Sequence, residues 1–254
     1  MRYGLIGGKL SHSYSKYIHE RMVECEYDLI PLNEDEFDVF MKEKVFTGIN
    51  VTIPYKEKVL PYLDEIDFLA EKIGAVNTIV NKNGRLKGYN TDFYGLLYLF
   101  NSNNIKVEHK KCLILGAGGT AKTAQAVIEE LKAEEIITVS RNPMGEKEIS
   151  YDECYDRHND AQVIVNTTPV GMYPNMDASP LDLTTFTQCM AVIDVIFNPI
   201  ETRLTKQAKN LGITAVTGLP MLVAQAKQAE EYFRDIKLDE AIIDRITKEL
   251  LKRI

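Results

Sequence analysis

Residues 111–124 read KCLILGAGGTAKTA, and the fold of the chain turns on them. Residues 112–115 are a short apolar run with the length and composition of a buried parallel strand. Residues 116–121, Gly-Ala-Gly-Gly-Thr-Ala, form a G-x-G-x-x-A turn. Ala124, Val127, Ile128 and Leu131 follow at helical spacing, which predicts a helix from about Thr120. Strand, glycine turn and helix in that order are the context a dinucleotide-binding fingerprint requires. Gly116 permits the tight turn, Gly118 lets the backbone approach a pyrophosphate, and Ala121 lets the helix lie close to the strand. The helix N-terminus then offers free N–H groups and the positive end of its dipole to the phosphates. The bland alternative is a structural tight turn that binds nothing.

Residues 105–218 alternate strand and helix. Strands are expected at 112–115, 135–140, 163–166, 191–195 and 214–216, with helices near 120–132, 151–158 and 201–211. That alternation predicts a doubly wound, Rossmann-like parallel sheet for this half. Residues 1–100 read as a separate α/β unit. Strands are expected at 2–7, 27–31 and 47–53, with a hairpin of 76–80 and 85–89 around Asn83-Gly84. Helices are expected at 12–25, 34–42 with Asn33 as N-cap, 59–73 and 92–101. Residues 101–104 read as a linker. The stretch 221–254 reads as charged helix that returns to the first unit, which otherwise lacks helices on one face. The division is therefore 1–101 with 219–254, and 102–218.

The 254 residues are 45% apolar with a net charge of −7, which suits a folded globular chain and argues against nucleic-acid or anionic-membrane binding. No apolar run is long enough to span a bilayer. Residues 1–13, MRYGLIGGKLSHS, lack signal-peptide architecture, and Cys25, Cys112, Cys154 and Cys189 show no C-x-x-C spacing. A cytoplasmic protein with no metal site and no disulfide framework is expected.

A dinucleotide-binding unit does not define a reaction, so the first unit must supply the substrate site. Ser13 and Ser15 can turn two hydroxyls toward one anion, or can serve a helix N-terminus. Lys56 lies just past a strand that ends at Pro54, with Asn50 and Thr52 as a polar rim; alone it reads as a solvated charge. Residues 74–78 (GAVNT) and 88–92 (GYNTD) each end in amide, hydroxyl or acid groups. Asp92 opens a helix and alone reads as a partner for its dipole.

Taken together these stretches resemble the shikimate dehydrogenase family, the two-domain enzymes of aromatic amino-acid biosynthesis. The matching residues are Ser-Tyr-Ser at 13–15, NVTIPYK at 50–56, GAVNT at 74–78, GYNTD at 88–92, the turn at 116–121, NTTPVGM at 166–172 and GLPMLVAQA at 218–226. They span almost the whole chain in the family's order. The resemblance implies reversible reduction of 3-dehydroshikimate to shikimate by NADPH. It implies that Ser13 and Ser15 hold the substrate carboxylate, and that Thr52, Asn77 and Gln225 contact the substrate hydroxyls. Lys56 and Asp92 become the catalytic pair, with Asp92 also on a substrate hydroxyl. For the cofactor it implies Gly116, Ala117, Gly118, Gly119 and Thr120, then Ser140, Arg141 and Asn142, and finally Val195 and Gly218. The ligand is a small molecule. Oligomeric state is not legible in the chain; a homodimer is carried as the working assembly.

Two positions depart from the family pattern. The second strand of the cofactor half ends Ser140-Arg141-Asn142. No acid is present to accept from a ribose 2′-hydroxyl, and Arg141 offers a fork of donors suited to a 2′-phosphate, so NADP is expected over NAD. Asn142 stands where the family motif has threonine, and Lys147 can supplement the charge. Phe197 stands where the family often has tyrosine, so carboxylate binding rests more on the serines while Phe197 walls the nicotinamide pocket. Three other readings remain: a quinate/shikimate dehydrogenase using NAD or both cofactors, a non-catalytic NADP-binding regulatory protein, and a dehydrogenase for another cyclic or amino-acid-like substrate. The presence of both Lys56 and Asp92 weighs against the regulatory protein.

Overall fold

A computed structural model describes residues 2–253 apart from Ser11, His12 and Glu146. Two compact units emerge: the chain up to Tyr94 together with Val223–Arg253, and Gly95–Leu222.

The first unit opens with β1 (Tyr3–Gly7), α1 (Ser15–Met22), β2 (Tyr27–Pro31), α2 (Glu34–Glu43) and β3 (Gly48–Val51). It continues with β4 (Glu65–Ile66), α3 (Phe68–Ile73), β5 (Thr78–Lys82) and β6 (Arg85–Tyr89), and α4 (Asp92–Ser102) follows. The sheet order is β2-β1-β3-β5-β6-β4. β1 runs parallel to β2 and β3, while β5 is antiparallel to both β3 and β6. Asn83 and Gly84 both take positive φ, 55° and 84°, as a two-residue hairpin turn demands. Asn33 caps α2 in a reciprocal capping box with Glu36. The helix expected at 12–25 is shorter than the apolar pattern suggests, and His12 lies outside the described residues.

Residues 59–73 are not the single helix the sequence suggests. A 3-10 turn over Leu60–Tyr62, the short strand β4 and the six-residue α3 take its place. The reason is hydrogen bonding to β6 by side chain and backbone together. The Asp64 carboxylate accepts the Leu86 N–H at 2.7 Å, and the Asp67 N–H donates to the Gly88 carbonyl at 2.9 Å, which draws 64–67 along β6. Asp67 then caps α3 by accepting from the Leu69 N–H at 3.1 Å.

The second unit is a parallel sheet of β7 (Lys111–Leu115), β8 (Glu135–Val139), β9 (Glu148–Ile149), β10 (Val163–Asn166), β11 (Ala191–Asp194) and β12 (Thr214–Thr217). Its helices are α5 (Gly119–Glu130), α6 (Tyr151–Arg157) and α7 (Arg203–Asn210). The order β12-β11-β10-β7-β8-β9, parallel throughout, is the doubly wound arrangement expected from the strand–helix alternation. The chain reverses direction beside β7, where such sheets bind ligands. The two-residue β9 is too short to read from sequence.

The C-terminal stretch, expected to be helical, carries α8 (Leu219–Arg234) and α9 (Ala241–Leu251). Asp235, at φ 56°, ends the first. α9 lies on α1, where Glu249 accepts from Tyr17 and Arg21.

The period-two alternation of the first sheet divides its two faces. Ile6, Ile49, Val51, Ile79 and Leu86 enter one core with α2. Tyr3, Leu5, Tyr27 and Val80 enter another with Ala229 and Phe233 of α8. A Cβ on Gly48 would sit 2.3 Å from the Phe233 ring, so glycine there lets α8 lie close on the sheet. Asn50 and Thr78 fall on this second face, beneath α8, and both are buried. Asn50 is thus interior and not the rim residue expected from its neighbours.

Candidate active site

Lys56 is delivered by a turn anchored on both sides. Tyr55 is buried, stacks on Phe37 with centroids 4.2 Å apart, and donates its hydroxyl to the Leu32 carbonyl at 2.7 Å. The Lys56 carbonyl accepts from the Val76 N–H at 2.9 Å. With the backbone fixed, Lys56 Nζ donates to Asp92 Oδ2 at 2.5 Å, and the two side chains are 21% and 14% exposed. This is a charge-assisted hydrogen bond open to solvent on one side. Asp92 is not the cap of α4: Asn90 Oδ1 accepts the Phe93 N–H at 3.3 Å, which leaves the Asp92 carboxylate for Lys56.

Beside this pair runs a buried polar network on the α8 face of the sheet. The Tyr27 hydroxyl donates to Asn50 Oδ1 at 2.7 Å, and Asn50 Nδ2 donates to Thr78 Oγ1 at 3.0 Å. Thr78 Oγ1 meets Thr91 Oγ1 at 3.1 Å, and the Thr91 hydroxyl reaches Gln225 Oε1 at 3.3 Å. Asn77 Oδ1 accepts from the Thr91 N–H at 2.7 Å and from the hydroxyls of Thr78 and Thr91. The oxygen half of the Asn77 amide is therefore used internally. The structure brings Lys56, Asp92, Asn77 and Gln225 together through Thr91, the residue next to Asp92. Ser13, Ser15 and Thr52 have no hydrogen bond into this network among the described residues. Ser13 Oγ accepts the Ser15 N–H at 3.2 Å, so the two serines share one turn at the start of α1, and Ser15 is nearly buried. Ser11, which precedes this turn, lies outside the described residues.

In the second unit the glycines differ in what demands them. Gly116 has φ 102°, and a Cβ there would lie 2.9 Å from Thr167 Oγ1, so the fold itself requires glycine. Gly118 has an ordinary φ of −84°, and Cβ atoms on Gly118 and Gly119 would meet nothing within 4 Å. No protein neighbour requires glycine at 118, and α5 has no side-chain cap. Open space before uncapped N–H groups fits an incoming pyrophosphate. α5 begins at Gly119, one residue before the expected start, and Ala121 is buried against the sheet. Ser140, Arg141 and Asn142 follow β8; Arg141 is exposed and makes no ion pair among the described residues. Gly218 has a packing reason of its own, since a Cβ there would sit 2.0 Å from the Val195 carbonyl oxygen. Phe197 is half-buried just beyond β11.

Asp194 laces the C-terminal ends of β10 and β11 together. Its Oδ1 accepts from Asn166 Nδ2 at 3.0 Å and the Ile196 N–H at 3.1 Å, and its Oδ2 from the Thr202 hydroxyl at 2.7 Å. Burial pushes its carboxyl up to about 6, against three hydrogen bonds that favour the ionised form. A carboxyl raised on folding contributes full stability below its unfolded value and loses that contribution as pH rises through about 6. Asp194→Asn keeps an acceptor for Asn166 and Ile196 and offers an N–H to Thr202. Thermal melts from pH 4 to 7 should therefore show the variant gaining on the parent by up to about 3 kcal/mol as pH rises. Parallel melting curves across that range would remove Asp194 as the titrating group.

The residues that a reading of sequence passes over are Tyr27, His19 and Glu230, along with the burial of Asn50. The signal for His19 was its place beside Ile18 and Met22 on the inner side of α1, all three buried. Among the described residues no group of three or more His, Cys, Asp or Glu is arranged to hold a metal ion. No helix among them is long and apolar enough to cross a membrane.

A family model for the shikimate dehydrogenase substrate binding domain matches residues 5–79. A curated relative from Clostridium perfringens, shikimate dehydrogenase (NADP(+)), is 37% identical over 98% of this chain and 97% of its own. Among solved structures, a chorismate mutase/shikimate 5-dehydrogenase fusion protein from Clostridium acetobutylicum is 39% identical. It covers 99% of this chain and 97% of the other, with a TM-score of 0.93. Shikimate 5-dehydrogenase from Thermus thermophilus, in complex with NADP(H) and shikimate, is 28% identical. It covers 98% of this chain and 99% of the other, with a TM-score of 0.87.

Proposed function

The chain belongs to the shikimate dehydrogenase family, and from that premise we propose that Lys56 and Asp92 act at the reacting oxygen of a substrate held by the first unit. The protein is an NADP-dependent oxidoreductase that interconverts 3-dehydroshikimate and shikimate in aromatic amino-acid biosynthesis. The quinate and regulatory alternatives are not favoured by the relatives it matches.

The observation that carries the site assignment is the Lys56–Asp92 hydrogen bond of 2.5 Å, partly open to solvent beside a preorganised polar network. Reducing a ketone requires a hydride on carbon and a proton on oxygen. NADPH, when bound, supplies the hydride. The Lys56 ammonium stabilises the negative charge that develops on the oxygen and delivers the proton; in the reverse direction the same nitrogen accepts it. Asp92 orients the ammonium and accepts from a substrate hydroxyl. Asn77, with its oxygen committed to Thr78 and Thr91, turns its amide N–H donors to the substrate, and Gln225 and Thr52 add further polar contacts. Ser13 and Ser15 donate to the carboxylate, and Phe197 walls the nicotinamide pocket.

The substrate-binding domain is taken as 1–101 with 219–254 and the NADP-binding domain as 102–218; the family match over 5–79 supports the first of these. NADP is held by Gly116, Ala117, Gly118, Gly119 and Thr120 at its pyrophosphate and by Ser140, Arg141 and Asn142 at its 2′-phosphate, with Val195 and Gly218 nearer the nicotinamide. A cytoplasmic setting fits the four free cysteines. Initial rates with shikimate and with quinate, each with NADP and NAD, test the reading. The pairing of shikimate with NADP should exceed the others in kcat/KM by about tenfold or more. A preference for quinate or for NAD would overturn it.

A further inference from the structure

The first unit contains a second pair of ionisable groups, away from Lys56 and Asp92. His19 of α1 and Glu230 of α8 are both 0% exposed, and His19 Nδ1 lies 2.5 Å from Glu230 Oε1. The other carboxylate oxygen accepts from Arg234 Nε at 2.7 Å. Burial alone would push the Glu230 carboxyl up, but the hydrogen bonds and charges of His19 and Arg234 outweigh it and hold it below the ordinary value. A carboxylate only accepts, so Nδ1 carries the proton between them. His19 Nε2 and one Arg234 guanidinium nitrogen are buried without a hydrogen-bond partner among the described residues. Such an arrangement is a poor way to stabilise a core, since apolar residues of the same volume often do as well. It is a good way to fix one helix against another.

The pair also closes a ring. His19 stacks on Tyr27 with centroids 4.0 Å apart and planes at 12°. Tyr27 leads through Asn50, Thr78 and Thr91 to Gln225, which lies on α8 like Glu230. Ser15 opens α1 one turn before His19. The ring therefore ties the start of α1, the strand that leads to Lys56, and the Gln225 turn of α8 into one body. We propose that Glu230 and His19 are a positioning pair that sets α1 against α8, and through it the affinity of the site for the substrate carboxylate. This rests on the reading that Ser13 and Ser15 hold that carboxylate.

Steady-state kinetics of Glu230→Gln test it. Uniform loss of binding raises KM and leaves kcat in place. The variant should raise KM for shikimate roughly tenfold, with kcat within about twofold and KM for NADP unchanged. Tyr27→Phe keeps the stack and cuts the bond to Asn50; it should raise the same KM about threefold, and it provides the test if the Glu230 variant does not fold. In a Ser15→Ala background, Glu230→Gln should add less than about twofold, because the two act through one contact. If Ser15→Ala raises KM while Glu230→Gln, or Tyr27→Phe in its place, leaves it unchanged, the positioning pair is refuted and the carboxylate reading stands. If Ser15→Ala itself leaves KM unchanged, the carboxylate reading falls and the proposal with it. A loss confined to kcat would also refute the proposal.

Discussion

Replacing Lys56 with alanine should lower kcat for shikimate oxidation by about 10²–10⁴-fold, with NADPH still binding at close to its original affinity. Two effects add. The variant lacks the nitrogen that takes the hydroxyl proton in this direction, and it leaves the Asp92 carboxylate, 14% exposed, without its partner at 2.5 Å. An uncompensated negative charge beside a developing alkoxide opposes the reaction as well as failing to help it. Lys56→Met should therefore behave like Lys56→Ala, although its methylene stem fills the same space. The double variant Lys56→Ala with Asp92→Asn should be no slower than the single lysine variant, since it removes the opposing charge. Cofactor titration by NADPH fluorescence separates this from misfolding. Turnover at the parental rate in Lys56→Ala would remove Lys56 from the chemistry.

How much of this was legible in the sequence differs between the two halves, for physical reasons. The second unit reads well because its strands are buried on both faces. Residues 112–115, 163–165 and 191–193 are then continuous apolar runs. Its glycine turn carries two local demands, a positive φ at Gly116 and open approach at Gly118. The first unit reads less well because distant side chains decide it. Residues 59–73 become a 3-10 turn, strand and short helix once Asp64 and Asp67 reach β6, about twenty residues on.

The site shows the same divide. Lys56 and Asp92 are 36 positions apart, and either alone reads as a surface charge or a dipole partner. Only the resemblance of seven short stretches, taken together, joins them. The supporting network was not legible at all. A polar residue in a strand reads as the solvent face, and Asn50 and Thr78 are buried only because α8, with Gln225 134 positions after Thr91, covers that face. Glu230 lies 211 positions from His19, and nothing local marks a glutamate in a charged helix as an interior residue.

The choice of cofactor makes the second large prediction. Arg141→Ala should lower kcat/KM with NADP by about 10–100-fold while leaving kcat/KM with NAD within about twofold. A guanidinium on a phosphate is a charge-assisted, two-pronged contact, and its loss is felt only by the cofactor that carries the phosphate. Arg141 is exposed past the end of β8, one strand from the glycine turn, with no ion pair among the described residues to hold it elsewhere. The backbone around it is fixed: the Ser140 N–H donates to the Ile149 carbonyl at 2.9 Å, and the Thr138 N–H to the Lys147 carbonyl at 3.1 Å. The second of these keeps Lys147 alongside the same strand, where it can take up part of the charge. The double variant with Lys147→Ala should therefore lose more NADP activity than Arg141→Ala alone, again without loss toward NAD. Asn142, whose N–H is bound to Ser140 Oγ at 3.3 Å, lacks the hydroxyl and methyl of threonine but keeps a donor for a phosphate oxygen. Asn142→Thr should consequently change NADP selectivity far less than Arg141→Ala. A fall of equal size with both cofactors would mean that Arg141 supports the loop and not the phosphate, and the discrimination would then have to lie elsewhere on that edge of the sheet.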